Sequence, residues 1–115
     1  IPAIKQQTKK ELMRRLQTAK AFMDEHFLAL PTIKHIATYC NLSEFHFFRL
    51  YKKVYGESPY HYMLKKRMEF AAGLLKDPNI NVTDVASMAG FADVYSFSKA
   101  FKKYFRVAPS QFSIG

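Results

Sequence analysis

A chain of 115 residues with 49% hydrophobic side chains, eleven Phe and seven Tyr fits one domain or two small subdomains that share a helix, and it can fill a modest core without disulfides or metal. Eighteen Lys and Arg against nine Asp and Glu give a net charge of +9, so the natural charged partner is a polyanion, nucleic acid first. With Cys40 as the single cysteine and no apolar run near the roughly 20 residues of a membrane span, a disulfide framework and a transmembrane helix are excluded, and the expected compartment is cytoplasmic.

Residues 1–7, polar and without an initiator Met, read as a linker from a longer protein whose N-terminal domain is missing. Thr8 and Glu11 have capping-box spacing, and Leu12, Leu16, Ala19, Met23 and Phe27 recur at helical intervals, which predicts a first helix from about Lys9 to Phe27 or Leu28. Pro31 closes it. Thr32 then caps a short helix with Ile33, Ile36, Ala37 and Cys40 on one side, Asn41 takes a left-handed turn, and Ser43 caps a third helix ending at Gly56. Ser58-Pro59 opens a long amphipathic helix through Met63, Leu64, Met68, Ala71 and Leu75 to about Lys76, stopped by Asp77-Pro78-Asn79. Asn81 caps the fifth helix, Gly90 turns the chain, a sixth helix runs from Asp93 to about Phe105, and Pro109 starts a short last one. The fold class is therefore all-α, about seven helices. Two helix-turn-helix subdomains, about 8–57 and about 79–113, are joined by a linker helix over about 59–76, and residues 8–113 form the folded domain.

The second half repeats the first. Ile33, Ile36 and Ala37 match Val82, Val85 and Ala86 at a separation of 49; beyond the turn the separation is 50 and pairs Phe47 with Phe97, Arg49 with Lys99, Tyr51 with Phe101, Lys52-Lys53 with Lys102-Lys103, and Pro59 with Pro109. One extra residue sits in the second turn. The paired cations lie off the apolar stripe, where packing does not demand them, and duplication of a binding unit explains them.

Phe47, Leu50, Tyr51 and Val54 follow core spacing, as do Phe97, Ala100, Phe101 and Tyr104. The opposite stripes, Phe45, Phe48, Arg49 and Lys52 and then Tyr95, Ser98, Lys99 and Lys102, face outward. A major groove offers thymine methyls to the aromatics and guanine O6/N7 to a bidentate arginine. The competing reading for Phe45 and Phe48 is packing against the first or fourth helix. Lys52, Lys53, Lys102 and Lys103 suit phosphates, with His46 beside them, and the helix starts at Thr32 and Asn81, helped by Lys34 and Thr83, offer backbone N–H groups to a phosphate. A linker helix of about 18 residues spans about 27 Å, against about 34 Å between successive major-groove faces, so both recognition helices can share one face of a duplex that bends slightly.

Asp84-Val-Ala-Ser-Met-Ala-Gly-Phe91 followed by Tyr95-Ser-Phe-Ser-Lys-Ala-Phe-Lys-Lys-Tyr-Phe105, with the Ser58-Pro59 junction and the duplication, resembles the DNA-binding domain of AraC/XylS-type bacterial transcription regulators over approximately residues 9–113. The resemblance implies that Phe45, Phe48 and Arg49, with Val94, Tyr95, Ser98 and Lys99, occupy the base-contacting positions. It implies double-stranded promoter DNA as partner, RNA polymerase as a second, activation as the commoner mode, and a small-molecule effector acting only through an N-terminal domain. Arg106, where the family usually has Gly, and Ala108, where it usually has Ser, depart from the pattern and predict a weaker final cap.

Other classes fit less well. A basic helical module binding an acidic protein would let Arg49 and Lys99 exchange with other cations without altering any sequence preference. Catalysis, cofactor and metal are not expected: His26, His35, His46 and His61 have no ligand spacing, and no nucleophile, base and orienting trio or phosphate-cradling glycine loop is present. Single-strand or RNA binding would need free aromatics, and most stand at core spacing.

Overall fold

The computed structural model describes the backbone of residues 2–112 and the side chains of residues 8–112; Ile1 and Ser113, at the edges of the expected linker and second unit, lie outside the described residues. Among these residues there are seven α-helices and no strand: α1 (Pro2–His26), α2 (Ile33–Tyr39), α3 (Glu44–Tyr55), α4 (Pro59–Leu74), α5 (Val82–Met88), α6 (Val94–Phe105) and α7 (Pro109–Phe112), with a 3-10 turn over Phe27–Ala29. The all-α expectation is borne out.

The ends of the helices follow from their caps. Thr32, Ser43 and Asn81 accept the backbone N–H of His35, His46 and Asp84, and Ser58 accepts that of His61 ahead of Pro59. Asn41 and Gly90 hold the turns at φ 62° and 88°, and Gly56 ends α3 at φ 77°. Three expectations are corrected. First, α1 begins at Pro2 instead of near Lys9, because proline suits a first helical position and Ala3, Lys5, Gln6 and Gln7 are good helix formers with no breaker before Thr8. Thr8 therefore lies inside the helix and not at its N-cap, and Glu11 pairs with Arg14 at 2.7 Å and Arg15 at 3.3 Å. Second, α4 stops at Leu74, since Lys76 and Asp77 already bond back three residues, in a turn, to Gly73 and Leu74. Third, Val54 is exposed, because the last turn of α3 passes the core edge and the longer Tyr55 reaches back against Tyr51, the two rings tilted with centroids 4.6 Å apart.

The chain forms two compact units, one through Met63 and one from Leu64, so the boundary falls inside α4. In the first, Leu16, Ala19, Met23, Ile36, Ala37, Cys40, Phe47, Tyr51 and Met63 make the core; in the second, Met68, Ala71, Leu75, Val85, Ala86, Ala89, Phe97 and Phe101 do. Met63 aside, these are one list position by position. Leu16, Ala19 and Met23 match Met68, Ala71 and Leu75 at a separation of 52, Cys40 matches Ala89 at 49, and the recognition-helix pairs match at 50. Each unit is thus a trihelical repeat, α1–α2–α3 and α4–α5–α6. Burial of Cys40 pushes its thiol above the ordinary range, as expected of a small packed residue.

Candidate nucleic-acid interface

Within each unit the turn between the second and third helices fixes how the third is presented, and the two turns are built alike. Asn41 and Gly90 donate to Thr38 and Ser87, and Leu42 and Phe91 donate to Ala37 and Ala86, with distances from 2.9 to 3.1 Å. A single added residue, with five between α5 and α6 against four between α2 and α3, accounts for the shift from 49 to 50.

An arginine from the preceding helix clamps each turn. Arg15 Nη1 donates to the Asn41 carbonyl at 3.0 Å, and Arg67 Nη1 donates to the Gly90 carbonyl at 2.9 Å. Arg67 is 4% exposed and its guanidinium lies 5.5 Å from the Phe91 ring centroid, so its charge is shared between a carbonyl dipole and an aromatic face. The sequence reading missed this pair. The signal was present in Arg15-Leu16-x-x-Ala19 and Arg67-Met68-x-x-Ala71, 52 residues apart, but the repeat had been traced only from the second helix onward.

Past the turn, Ser43 caps α3 and Asp93 caps α6 by accepting the Ser96 backbone N–H at 2.7 Å. Those Ser96 hydrogen bonds hold the Asp93 carboxyl below its ordinary value. The third helix of each unit then buries one stripe (Phe47 and Tyr51; Phe97 and Phe101) and exposes the other.

On α3 the exposed stripe carries Phe45 at 71% and Phe48 at 38%, with Arg49 set over the Phe45 ring at 5.3 Å. Neither phenylalanine is part of the buried core; Phe45 stands well out into solvent, whereas Phe48 has more than half of its surface covered. Lys52 and Lys53 follow, exposed, in the last turn, and His46 lies exposed in the first. On α6 Val94, Tyr95 and Lys99 are exposed, Tyr95 at 74%, Ser98 is half-buried, and Lys102 and Lys103 close the helix. At the entry of the other helices Thr32, Lys34, Asn81 and Thr83 are all exposed. The Thr32 and Asn81 side chains each take one backbone N–H of their helix's first turn.

Duplicated three-helix units, each presenting an aromatic and cationic stripe on its last helix, define the class of helix-turn-helix proteins. A helix-turn-helix domain family matches residues 36–113, and the chain belongs to that family, in its AraC-type branch, as the second-unit signature implied. It is 36% identical over 92 residues to the MmsAB operon regulatory protein of Pseudomonas aeruginosa, covering 80% of this chain and 30% of that one. It superposes on the C-terminal domain of AraT, a response regulator from Geobacillus stearothermophilus, with TM-score 0.80 and 31% identity, covering 86% of this chain and 83% of that domain. The DNA-binding domain of the transcriptional factor AdpA, solved with a target DNA, shares the fold at TM-score 0.78 and 21% identity, over 86% of this chain and 89% of that one. The chain spans about a third of the length of the curated relatives it matches. No helix among the described residues is long and apolar enough to cross a membrane.

Proposed function

We propose that this chain is the sequence-specific, duplex-DNA-binding part of a bacterial transcription regulator, with α3 and α6 as recognition helices entering successive major-groove segments. The observation that carries the reading is the exposure of Phe45 and Tyr95, each one helical turn ahead of a cation, Arg49 or Lys99, at matched positions of two units. An exposed aromatic ring gains little from water, whereas a thymine methyl offers it apolar contact. In this reading Phe45, Phe48, Arg49, Val94, Tyr95, Ser98 and Lys99 contact bases. Lys34, His46, Lys52, Lys53, Thr83, Lys102 and Lys103 hold phosphates, together with the backbone at Thr32 and Asn81. The DNA-binding domain is residues 8–113, preceded by a linker at 1–7; the whole protein acts in the cytoplasm, engages RNA polymerase at a promoter, and takes its effector through a further domain.

Selection from random duplexes of about 20 base pairs, sequenced at two salt concentrations, tests the reading. An enriched bipartite motif with its halves about one helical turn apart, persisting at higher salt, is the expected result. Uniform retention that vanishes with salt would leave the charge as a mere electrostatic anchor. On the selected duplex, Arg49→Ala should cost about 1–3 kcal/mol and relax one base pair, while Lys52→Ala should weaken matched and unmatched DNA alike.

A further inference from the structure

The C-terminal end of α6 differs from its counterpart in one residue that the backbone does not favour. Gly56 and Arg106 occupy matched positions, 50 residues apart, and perform the same backbone task. Gly56 donates to the Lys52 carbonyl at 2.9 Å from φ 77°; Arg106 donates to the Lys102 carbonyl at 2.8 Å from φ 69°. Glycine adopts this left-handed conformation freely, whereas a residue with a Cβ pays a steric cost there. The first unit shows that the cap needs no side chain. Anything Arg106 contributes beyond the backbone cap must therefore come from its side chain, and it has to offset that steric cost.

What it does is indicated by its neighbours. Lys99, Lys102, Lys103 and Arg106 together line a shallow concavity of about 610 Å³, and no carboxylate is among them. Lys102 and Lys103 follow Lys99 at three and four residues, the spacing of a single helix face, and Arg106, the left-handed cap just past the helix, lines the same concavity. All four are exposed. The first unit offers three cations at the matched positions, Arg49, Lys52 and Lys53, and then Gly56, so the fourth charge belongs to the second unit alone. A favourable interaction with the helix C-terminus would account for one or two cations in a last turn, but it is already met by Lys102 and Lys103 in both units' pattern.

We propose that Arg106 is an additional DNA-backbone contact, completing with Lys102 and Lys103 a phosphodiester-binding face that continues the line of Lys99 past the end of the recognition helix. This rests on the duplex-DNA reading above. It makes the second unit the more strongly anchored of the two. The contact is to phosphate, so it contributes affinity and salt dependence without base preference.

The test compares the 115-residue chain with Arg106→Gly and Arg106→Lys on one matched and one unmatched duplex, by fluorescence anisotropy from 50 to 200 mM salt, alongside thermal unfolding. Arg106→Gly should raise Tm by roughly 2–4 °C through relief of the left-handed strain. It should weaken both duplexes equally, with a salt slope shallower by about 0.9, so that its deficit against the wild type shrinks about 3.5-fold between the two salt limits. Arg106→Lys, which keeps the charge and the strain, should retain the wild-type slope. An Arg106→Gly chain with unchanged slope would overturn the contact, as would one with a lowered Tm, which would make the side chain a part of the fold. Failure of the wild-type chain to retain any duplex would sink the DNA reading itself, whereas wild-type binding with an unchanged variant slope sinks the Arg106 contact alone.

Discussion

Tyr51 is fully buried, yet its hydroxyl has no hydrogen-bond partner, and burial together with neighbouring Tyr62, Glu57, Tyr55 and Asp24 pushes its ionisation far above the ordinary tyrosine value. The second unit has solved the same position with Phe101, whose ring sits 4.6 Å from Phe105 just as Tyr51 sits 4.6 Å from Tyr55. Removing an unsatisfied buried hydroxyl while keeping the ring relieves a desolvation penalty. Tyr51→Phe should raise unfolding stability by about 1 kcal/mol or more in urea titration and leave DNA affinity unchanged; a destabilised variant would mean that the hydroxyl does find a partner. Asp93 gives the opposite case, a polar group whose partner is secured. Because its folded pKa lies below the unfolded 3.8, its contribution is present above that value and disappears as pH falls through the folded pKa. Asp93→Asn keeps the cap without the titration, so urea midpoints of the two chains should agree at pH 6 and the wild type should fall behind as pH drops well under 3.8.

Among the elements, the arginine clamps decide how firmly each recognition helix is held. Arg67 is buried and Arg15 is about a third exposed on its side chain, where water screens and replaces what it gives. Arg67→Ala should therefore cost about 2–3 kcal/mol of stability and Arg15→Ala about 1 kcal/mol or less, measured by chemical denaturation. Equal losses would place the clamp's value in the hydrogen bond alone and not in burial. The elements were largely legible in advance because their ends are local chemistry: Thr32, Ser43, Ser58 and Asn81 cap where the hydroxyl or amide reaches the third N–H on, and Gly56 and Gly90 take positive φ. The start of α1 was not legible in the same way, since Thr8 and Glu11 match a capping box equally well inside a helix that Pro2 can begin.

For the whole molecule the consequence of duplication is two cores with no residue in common. Phe97→Ala should cost about 3–5 kcal/mol in the second unit, while amide exchange over α2 and α3 keeps its protection. Uniform loss of protection along the chain would show that the two units unfold as one. At the interface, the outward stripes could be chosen from spacing in part, because a helix that buries Phe47 and Tyr51 must turn Phe45 and Arg49 away from them, while Phe48 is left at the margin of the buried stripe.

The sequence by itself determined the helices, the duplicated turn, the inward and outward faces of α3 and α6, and the family, since all of these depend on residue type at short spacing. Only the tertiary structure decided that Arg15 and Arg67 reach the carbonyls of Asn41 and Gly90, and that Arg106 takes the left-handed conformation of a glycine beside three lysines. Those clamps bridge 26 and 23 residues of chain, and a contact across such a distance is set by how the helices pack, which spacing along one helix does not encode.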